Sequence, residues 1–194
     1  RRSPTFDQAV DRLYAILTGR DERSDAERAA TPGPLTHPLP DASVGGLAGL
    51  IEIVYSHGGQ ADLPDLADEL SFHVDDLLPL VDAARMLRLL EVEGAQAFLT
   101  DVGRDWYTAD ILRSKEVFAT LAVEHAPLVA TIIKALHNSD GGALRDDFFR
   151  DLLHRGFSAE DTEKQLDIAI AWGRYGELFD YDANTGRVKA VRTP

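Results

Sequence analysis

Cysteine is absent from this 194-residue sequence, which excludes disulfide bonds, thiolate metal sites and cysteine nucleophiles together. Long apolar runs are absent as well. No stretch approaches the roughly 20 apolar residues that a membrane-spanning helix needs, and the residues after Arg1 do not form the apolar segment of a signal peptide. We therefore expect a soluble, intracellular chain.

The motifs of nucleotide binding and of hydrolysis are also missing. The sequence has no G-x-x-x-x-G-K-[ST] loop, no G-x-G-x-x-G after a strand, no G-x-S-x-G and no H-E-x-x-H. Asp180, Asp182 and Asn184 alternate as in a calcium loop, but Gly186 stands one position late and Val191 occupies the place of the final glutamate. We therefore interpret this segment as a hairpin turn and expect no catalytic residue, no cofactor and no metal site.

Basic residues are few beside the acidic ones. The chain has 20 Lys and Arg against 33 Asp and Glu, a formal net charge of −13. Such a field opposes the approach of nucleic acid unless a local basic patch offsets it, and the basic residues are scattered. The charge balance therefore argues against nucleic acid as a partner.

The first 45 residues predict a helix and a linker. Apolar residues recur at helical spacing within residues 1–19, and Gly19 follows where a glycine would end the helix. Between residues 20 and 45 this periodicity disappears and four prolines occur, so we expect a flexible linker there.

The rest of the chain predicts the same succession twice, three helices followed by a two-stranded hairpin. We assign a first winged-helix-like unit to residues 46–112, and a connector helix with a second such unit to residues 113–194. The predicted fold class is mainly α with small β-hairpins (α+β), as tandem winged-helix-like units joined by connector helices. The alternative is one irregular helical bundle with two small hairpins.

The helix that begins after Ser158 has apolar residues on two faces. At about 100° per residue, Ile168, Trp172 and Tyr175 fall nearly opposite the side that carries Leu166. Tryptophan and tyrosine are enriched in protein interfaces, so these three residues are the candidate interaction residues. They could instead be covered within the chain, and the sequence leaves both alternatives open.

Several stretches resemble one known family. They are His57–Asp62, Leu66–Leu70, Asp75–Val81, Gln165–Tyr175 and Glu177–Asp182. Over roughly residues 46–186 they resemble the AAA-associated C-terminal domain, which follows the ATP-binding subunit of nitrate-, sulfonate- and taurine-type ABC importers. The segment Trp172-Gly173-Arg174-Tyr175 is the most specific part of the resemblance.

The resemblance implies a non-catalytic regulatory or interaction domain, with residues 1–19 as the helix that leaves a preceding ATPase domain. Its partners would be that ATPase domain and the permease of the importer, with a homodimer as a further possibility. The implied location is cytoplasmic and peripheral to the inner membrane, reached through the transporter. The alternative function is that of a DNA-binding winged-helix transcriptional regulator.

Overall fold

The computed structural model describes residues 37–71 and 73–191. Within them the protein is mainly α-helical with small antiparallel β elements, which confirms the predicted fold class. The predicted helix at residues 1–19 and residues 20–36 of the predicted linker lie outside the described residues.

The last part of the predicted linker proves to be packed structure. Leu39 and Ala42 are buried, and the first described helix begins at Val44. The helix can begin there because the side chain of Ser43 accepts a hydrogen bond from the backbone N–H of Gly46 at 3.0 Å, which satisfies a donor of the first turn. The predicted start at residue 46 missed this cap.

The first compact unit spans Leu39–Ala126. Its elements, in chain order, are α1 (Val44–Ser56), β1 (Gln60–Asp62), α2 (Leu63–Leu70), α3 (Val74–Met86), β2 (Leu90–Glu93), β3 (Gln96–Leu99), α4 (Asp101–Thr108) and α5 (Ile111–His125). The predicted boundary at residue 112 falls inside α5. The structure divides after Ala126 instead, because α5 packs on α4, where the ring centroids of Trp106 and Phe118 lie 6.0 Å apart.

The second compact unit begins at Pro127. Its elements are α6 (Pro127–His137), β4 (Ala143–Arg145), α7 (Asp146–Leu153), α8 (Ala159–Tyr175), β5 (Phe179–Asp182) and β6 (Arg187–Ala190). Helix α8 begins as the sequence predicts, since the side chain of Ser158 accepts a hydrogen bond from the backbone N–H of Asp161 at 3.1 Å.

Each unit contains one three-stranded antiparallel sheet. The strand orders are β1-β3-β2 and β4-β6-β5, so the last strand of each unit lies in the middle. In the first sheet Ala61 pairs with Ala97, and in the second Leu144 pairs with Val188. The hairpins are those predicted, whereas the three-residue strands β1 and β4 were not predicted.

The third helix of each unit ends in the same turn. The backbone N–H of Leu89 donates to the carbonyl of Ala84 at 2.8 Å, and that of Leu178 donates to the carbonyl of Gly173 at 2.9 Å. These matching bonds align α3 with α8, so that Ala84 corresponds to Gly173.

The second helix of each unit is tied to the turn of the following hairpin in the same way. The backbone N–H of Leu63 donates to the carbonyl of Ala95 at 2.8 Å, and that of Asp146 donates to the carbonyl of Gly186 at 2.8 Å. Helices α2 and α7 are both eight residues long and begin at these donors. They can therefore be compared residue by residue.

Candidate functional site

The three candidate interaction residues differ in their exposure to solvent. Ile168 is 8% exposed and Trp172 is fully buried, whereas Tyr175 is partly exposed. Helix α8 packs against α6, α7 and β5, so more than one of its sides is covered within the second unit. For Ile168 and Trp172 the structure therefore favours the second alternative, coverage within the chain, over an exposed contact face.

A network of charged side chains joins α7, α8 and the β5–β6 hairpin. Asp146, the first residue of α7, is only 5% exposed. Its Oδ1 lies 2.9 Å from Nη1 of Arg150, and its Oδ2 accepts a hydrogen bond from the hydroxyl of Tyr181 at 2.7 Å. Nε of Arg150 in turn donates to Oε1 of Glu163 on α8 at 2.7 Å.

The network shifts the acidity of its members. Burial alone would raise the pKa of Asp146, but the hydrogen bonds from Tyr181 and Arg150 outweigh it, so the pKa of this carboxyl lies below its ordinary value. The hydrogen bond to Asp146, with burial, raises the pKa of the Tyr181 phenol. The pKa of Arg150 is raised chiefly by its hydrogen bond to Glu163. Asp146 and Arg150 are therefore held in their charged forms and Tyr181 in its protonated form.

We expect this network to make the second unit sensitive to acid. The pKa of Asp146 is lower in the folded chain than in the unfolded chain, so its contribution to the free energy of unfolding is present above about pH 4 and is lost as the pH falls through the folded pKa. Tyr181→Phe removes the hydroxyl donor and should cost about 1.5 kcal/mol at pH 7. Urea unfolding between pH 2.5 and 7, followed by circular dichroism, measures both effects.

The same variant supplies the comparison for the acid effect. With the donor removed, the pKa of Asp146 moves back towards its ordinary value, so the loss of stability between pH 4 and 2.5 should be smaller in Tyr181→Phe than in the unchanged chain. An equal loss in both proteins would contradict the assignment of acid sensitivity to the Asp146–Tyr181 contact.

Exposed apolar side chains lie elsewhere. Among the described residues, the large apolar side chains that are exposed are Tyr55, Leu78, Val102, Ile111, Leu112 and Phe148. The most exposed are Ile111 at 75% and Leu112 at 67%, both in the first turn of α5. By helical spacing they lie on the same sides of α5 as the apolar residues that are buried between Val117 and Val123. Ile111 and Leu112 were not among the predicted interaction residues.

The first unit also carries an exposed aromatic cluster with a cation. The rings of Tyr55 and Tyr107 lie 5.1 Å apart, and the guanidinium carbon of Arg104 lies 5.4 Å from the centre of the Tyr55 ring. A cation over an aromatic face at a solvent-exposed position contributes about 0.5–1 kcal/mol. The cluster fixes the C-terminal end of α1 against α4.

The third helices expose mostly acidic side chains. On α3 the exposed ionisable residues are Asp75, Asp76, Asp82 and Arg85, and on α8 they are Glu160, Asp161, Glu163, Lys164, Asp167 and Arg174. Acids outnumber bases on both helices. This charge is opposite to that of a helix that binds phosphates in a DNA groove.

Within residues 37–71 and 73–191, no three His, Asp or Glu side chains come together in a group that could hold a metal ion. In the same part of the chain no single helix is long and apolar enough to span a membrane.

The polar network could not be predicted from the sequence, for a physical reason. Acids in the first turn of a helix are favoured by the helix dipole, which accounts for the position of Asp147. Asp146 differs because the hairpin covers it, and that contact joins residues 35 positions apart. Gly186 in the hairpin turn also lies close to the Asp146 side chain.

Comparison with known protein families gives a match. The model of a family described as the C-terminal AAA-associated domain matches residues 64–182, well over half of the chain. No curated protein and no solved structure matches the chain. The matched region includes the hairpin of the first unit, strand β5 of the second and the four side chains of the polar network.

Proposed function

The chain belongs to the family of C-terminal AAA-associated domains, and from this premise we propose that it is a non-catalytic regulatory domain of the ATP-binding subunit of an ABC importer. The family match over residues 64–182 is the observation that carries the proposal. A domain of this family fits an accessory role beside an ATPase. The restriction to importers of the nitrate, sulfonate and taurine type rests on the sequence resemblance around Trp172-Gly173-Arg174-Tyr175.

The chemistry of the described residues supports a non-catalytic role. Among the described residues, the ionisable groups with shifted pKa values are all hydrogen-bonded within the chain: Asp146 with Tyr181 and Arg150, Arg150 with Glu163, and Asp182 with Thr185. A catalytic acid or base needs a proton that it can exchange with a substrate at working pH. Groups held in one ionisation state by mutual hydrogen bonds do not supply such a proton.

We further assign each unit to the winged-helix architecture. The support is the repeated order of helix, strand, helix, helix and two strands, with the last strand in the middle of the sheet. In a DNA-binding winged helix the third helix enters the major groove. Here the acidic exposed sides of α3 and α8 oppose that use, which favours a protein partner over DNA.

On this proposal the domain acts in the cytoplasm, at the inner membrane, through its attachment to the transporter. Its partners are the ATPase domain that precedes it and, through that domain, the permease. A second copy of the domain would meet it wherever two ATP-binding subunits associate. Regulation would then consist of a domain contact that favours or opposes this association.

The experiment that tests the proposal compares the full ATP-binding subunit with a version that lacks residues 37–194. The two are reconstituted with the permease, and ATP hydrolysis is measured with and without the transported substrate. A coupling between sites typically changes an equilibrium by about fivefold or more, so we expect a several-fold difference in rate in at least one condition. A variant without the Walker A lysine of the ATPase domain serves as the control for contaminating hydrolysis.

Two outcomes would contradict the proposal. Equal hydrolysis rates for both proteins in every condition would remove the regulatory role. A reading frame with no G-x-x-x-x-G-K-[ST] segment ahead of Arg1 would remove the covalent link to an ATPase.

A further inference from the structure

The polar network of the second unit has no polar counterpart in the first. The matching hydrogen bonds of Leu63 and Asp146 to the hairpin turns align α2 with α7. Asp146 then corresponds to Leu63, and Arg150 corresponds to Ala67, which is buried. Two charged side chains of the second unit therefore stand where the first unit has apolar ones.

Glu163 and Tyr181, the other two members of the network, also correspond to apolar residues in the first unit. The matching turns after the third helices align α3 with α8, so Glu163 corresponds to Val74. In the hairpins, Tyr181 is the third residue of β5 and corresponds to Val92, the third residue of β2. All four members of the network are thus replaced by apolar residues in the first unit, which has the same topology.

The network is therefore not required to build this topology. Removing a carboxylate from water costs several kcal/mol, which its partners offset only when the geometry is good, and a buried ion pair is weak evidence of added stability. Asp146 bears this cost, with its side chain 7% exposed. The first unit folds without these polar residues, whereas the second unit retains them despite the cost of removing Asp146 from water. The network is therefore expected to have a role other than folding.

The geometry of the network runs from solvent to the interior. The side chain of Glu163 is 53% exposed, that of Arg150 is 27% exposed and that of Asp146 is 7% exposed. Asp146 then contacts the hairpin twice: its carboxylate accepts from the hydroxyl of Tyr181, and its backbone N–H donates to the carbonyl of Gly186. Each member is joined to the next by a contact of 2.9 Å or less.

We propose that Glu163, Arg150, Asp146 and Tyr181 form a conformational relay that couples an exposed carboxylate on α8 to the position of the β5–β6 hairpin. A basic group of a docking partner that pairs with Glu163 would draw it from Arg150. Arg150 would then redistribute between Asp146 and Asp147, whose Oδ1 lies 3.6 Å from its Nη1. The contact of the Asp146 carboxylate with Tyr181 would weaken, and the hairpin would loosen.

A double-mutant cycle tests the relay, because Glu163 and Tyr181 share no hydrogen bond or ion pair in the part of the chain that the structure describes. Glu163→Gln, Tyr181→Phe and the double variant are compared by hydrogen exchange of the hairpin amides at residues 179–190. Directly coupled or network-coupled residues depart from additivity. We expect Tyr181→Phe to raise hairpin exchange by a factor that differs at least threefold between the Glu163 and Glu163→Gln backgrounds.

Asp167→Asn supplies the matched control, since Asp167 is an exposed acid on the same helix that lies outside the network. It should leave hairpin exchange unchanged and should not alter the effect of Tyr181→Phe. Additive effects of Glu163→Gln and Tyr181→Phe would overturn the relay, and so would equal changes in hairpin exchange for Glu163→Gln and Asp167→Asn. The measurement is made on this chain alone, so its outcome is independent of the proposed regulation of an ATPase.

Discussion

Gly173→Ala is expected to destabilise the second unit by about 3 kcal/mol, because a methyl group at this position would overlap the ring of Phe179. Gly173 lies in the last turns of α8, and Phe179, the first residue of β5, is fully buried against it. Neither side can yield, since the ring is enclosed in the core and the helix backbone cannot move without breaking its hydrogen bonds. This overpacking outweighs the better helix propensity of alanine, so the substitution lowers the free energy of unfolding.

The measurement can be confined to the second unit. The chain has two tryptophans, Trp106 in the first unit and Trp172 in the second. In a Trp106→Phe background, urea unfolding followed by fluorescence reports the surroundings of Trp172 alone. The midpoint and slope then give the change in the free energy of unfolding.

The first unit shows which second substitution should relieve the clash of Gly173→Ala with Phe179. The position of Gly173 is occupied there by Ala84, and that of Phe179 by Leu90; both are buried. The pair Ala–Leu therefore fits where Gly–Phe fits in the second unit. Gly173→Ala combined with Phe179→Leu should be more stable than Gly173→Ala alone, since the shorter side chain makes room for the methyl group. A double variant no more stable than the single one would contradict this account of the clash.

The periodic elements of the fold could be predicted from the sequence, and the short ones could not. Helices such as α1 and α6 bury one apolar stripe each, which leaves a 3.6-residue period in the sequence. Strand β1 has three residues, of which only Ala61 is buried. Three residues cannot display a period, and β1 exists because β3 offers it a partner 36 positions away.

The candidate interaction residues illustrate a limit of helical periodicity. The spacing correctly shows that Ile168 and Trp172 lie apart from Leu166 on the helix, yet all three are buried. A second apolar side indicates that something covers it, but the covering elements, here α6, α7 and β5, are set by tertiary packing. Residue types alone could not distinguish a neighbour in the same chain from a partner.

The network around Asp146 was beyond prediction for a related reason. Its members lie at positions 146, 150, 163 and 181, and only the first two share an element. The i, i+4 spacing of Asp146 and Arg150 predicts an ordinary surface ion pair, worth about 0.3–0.5 kcal/mol. The hairpin that covers Asp146 turns that surface pair into a buried network.

Trp172→Ala is expected to cost about 3–5 kcal/mol, the range for removing a fully buried tryptophan from a core, because no part of Trp172 is exposed. Tyr175→Ala, one turn further along the same helix and partly exposed, is the matched control and should cost less than about 1.5 kcal/mol. Circular dichroism during urea unfolding measures both losses, and light scattering measures the mass of each variant. If Trp172 were covered by a second copy of the chain, the loss would depend on protein concentration and the mass would fall. A loss that is independent of concentration, with an unchanged mass, would identify Trp172 as part of the core of the second unit.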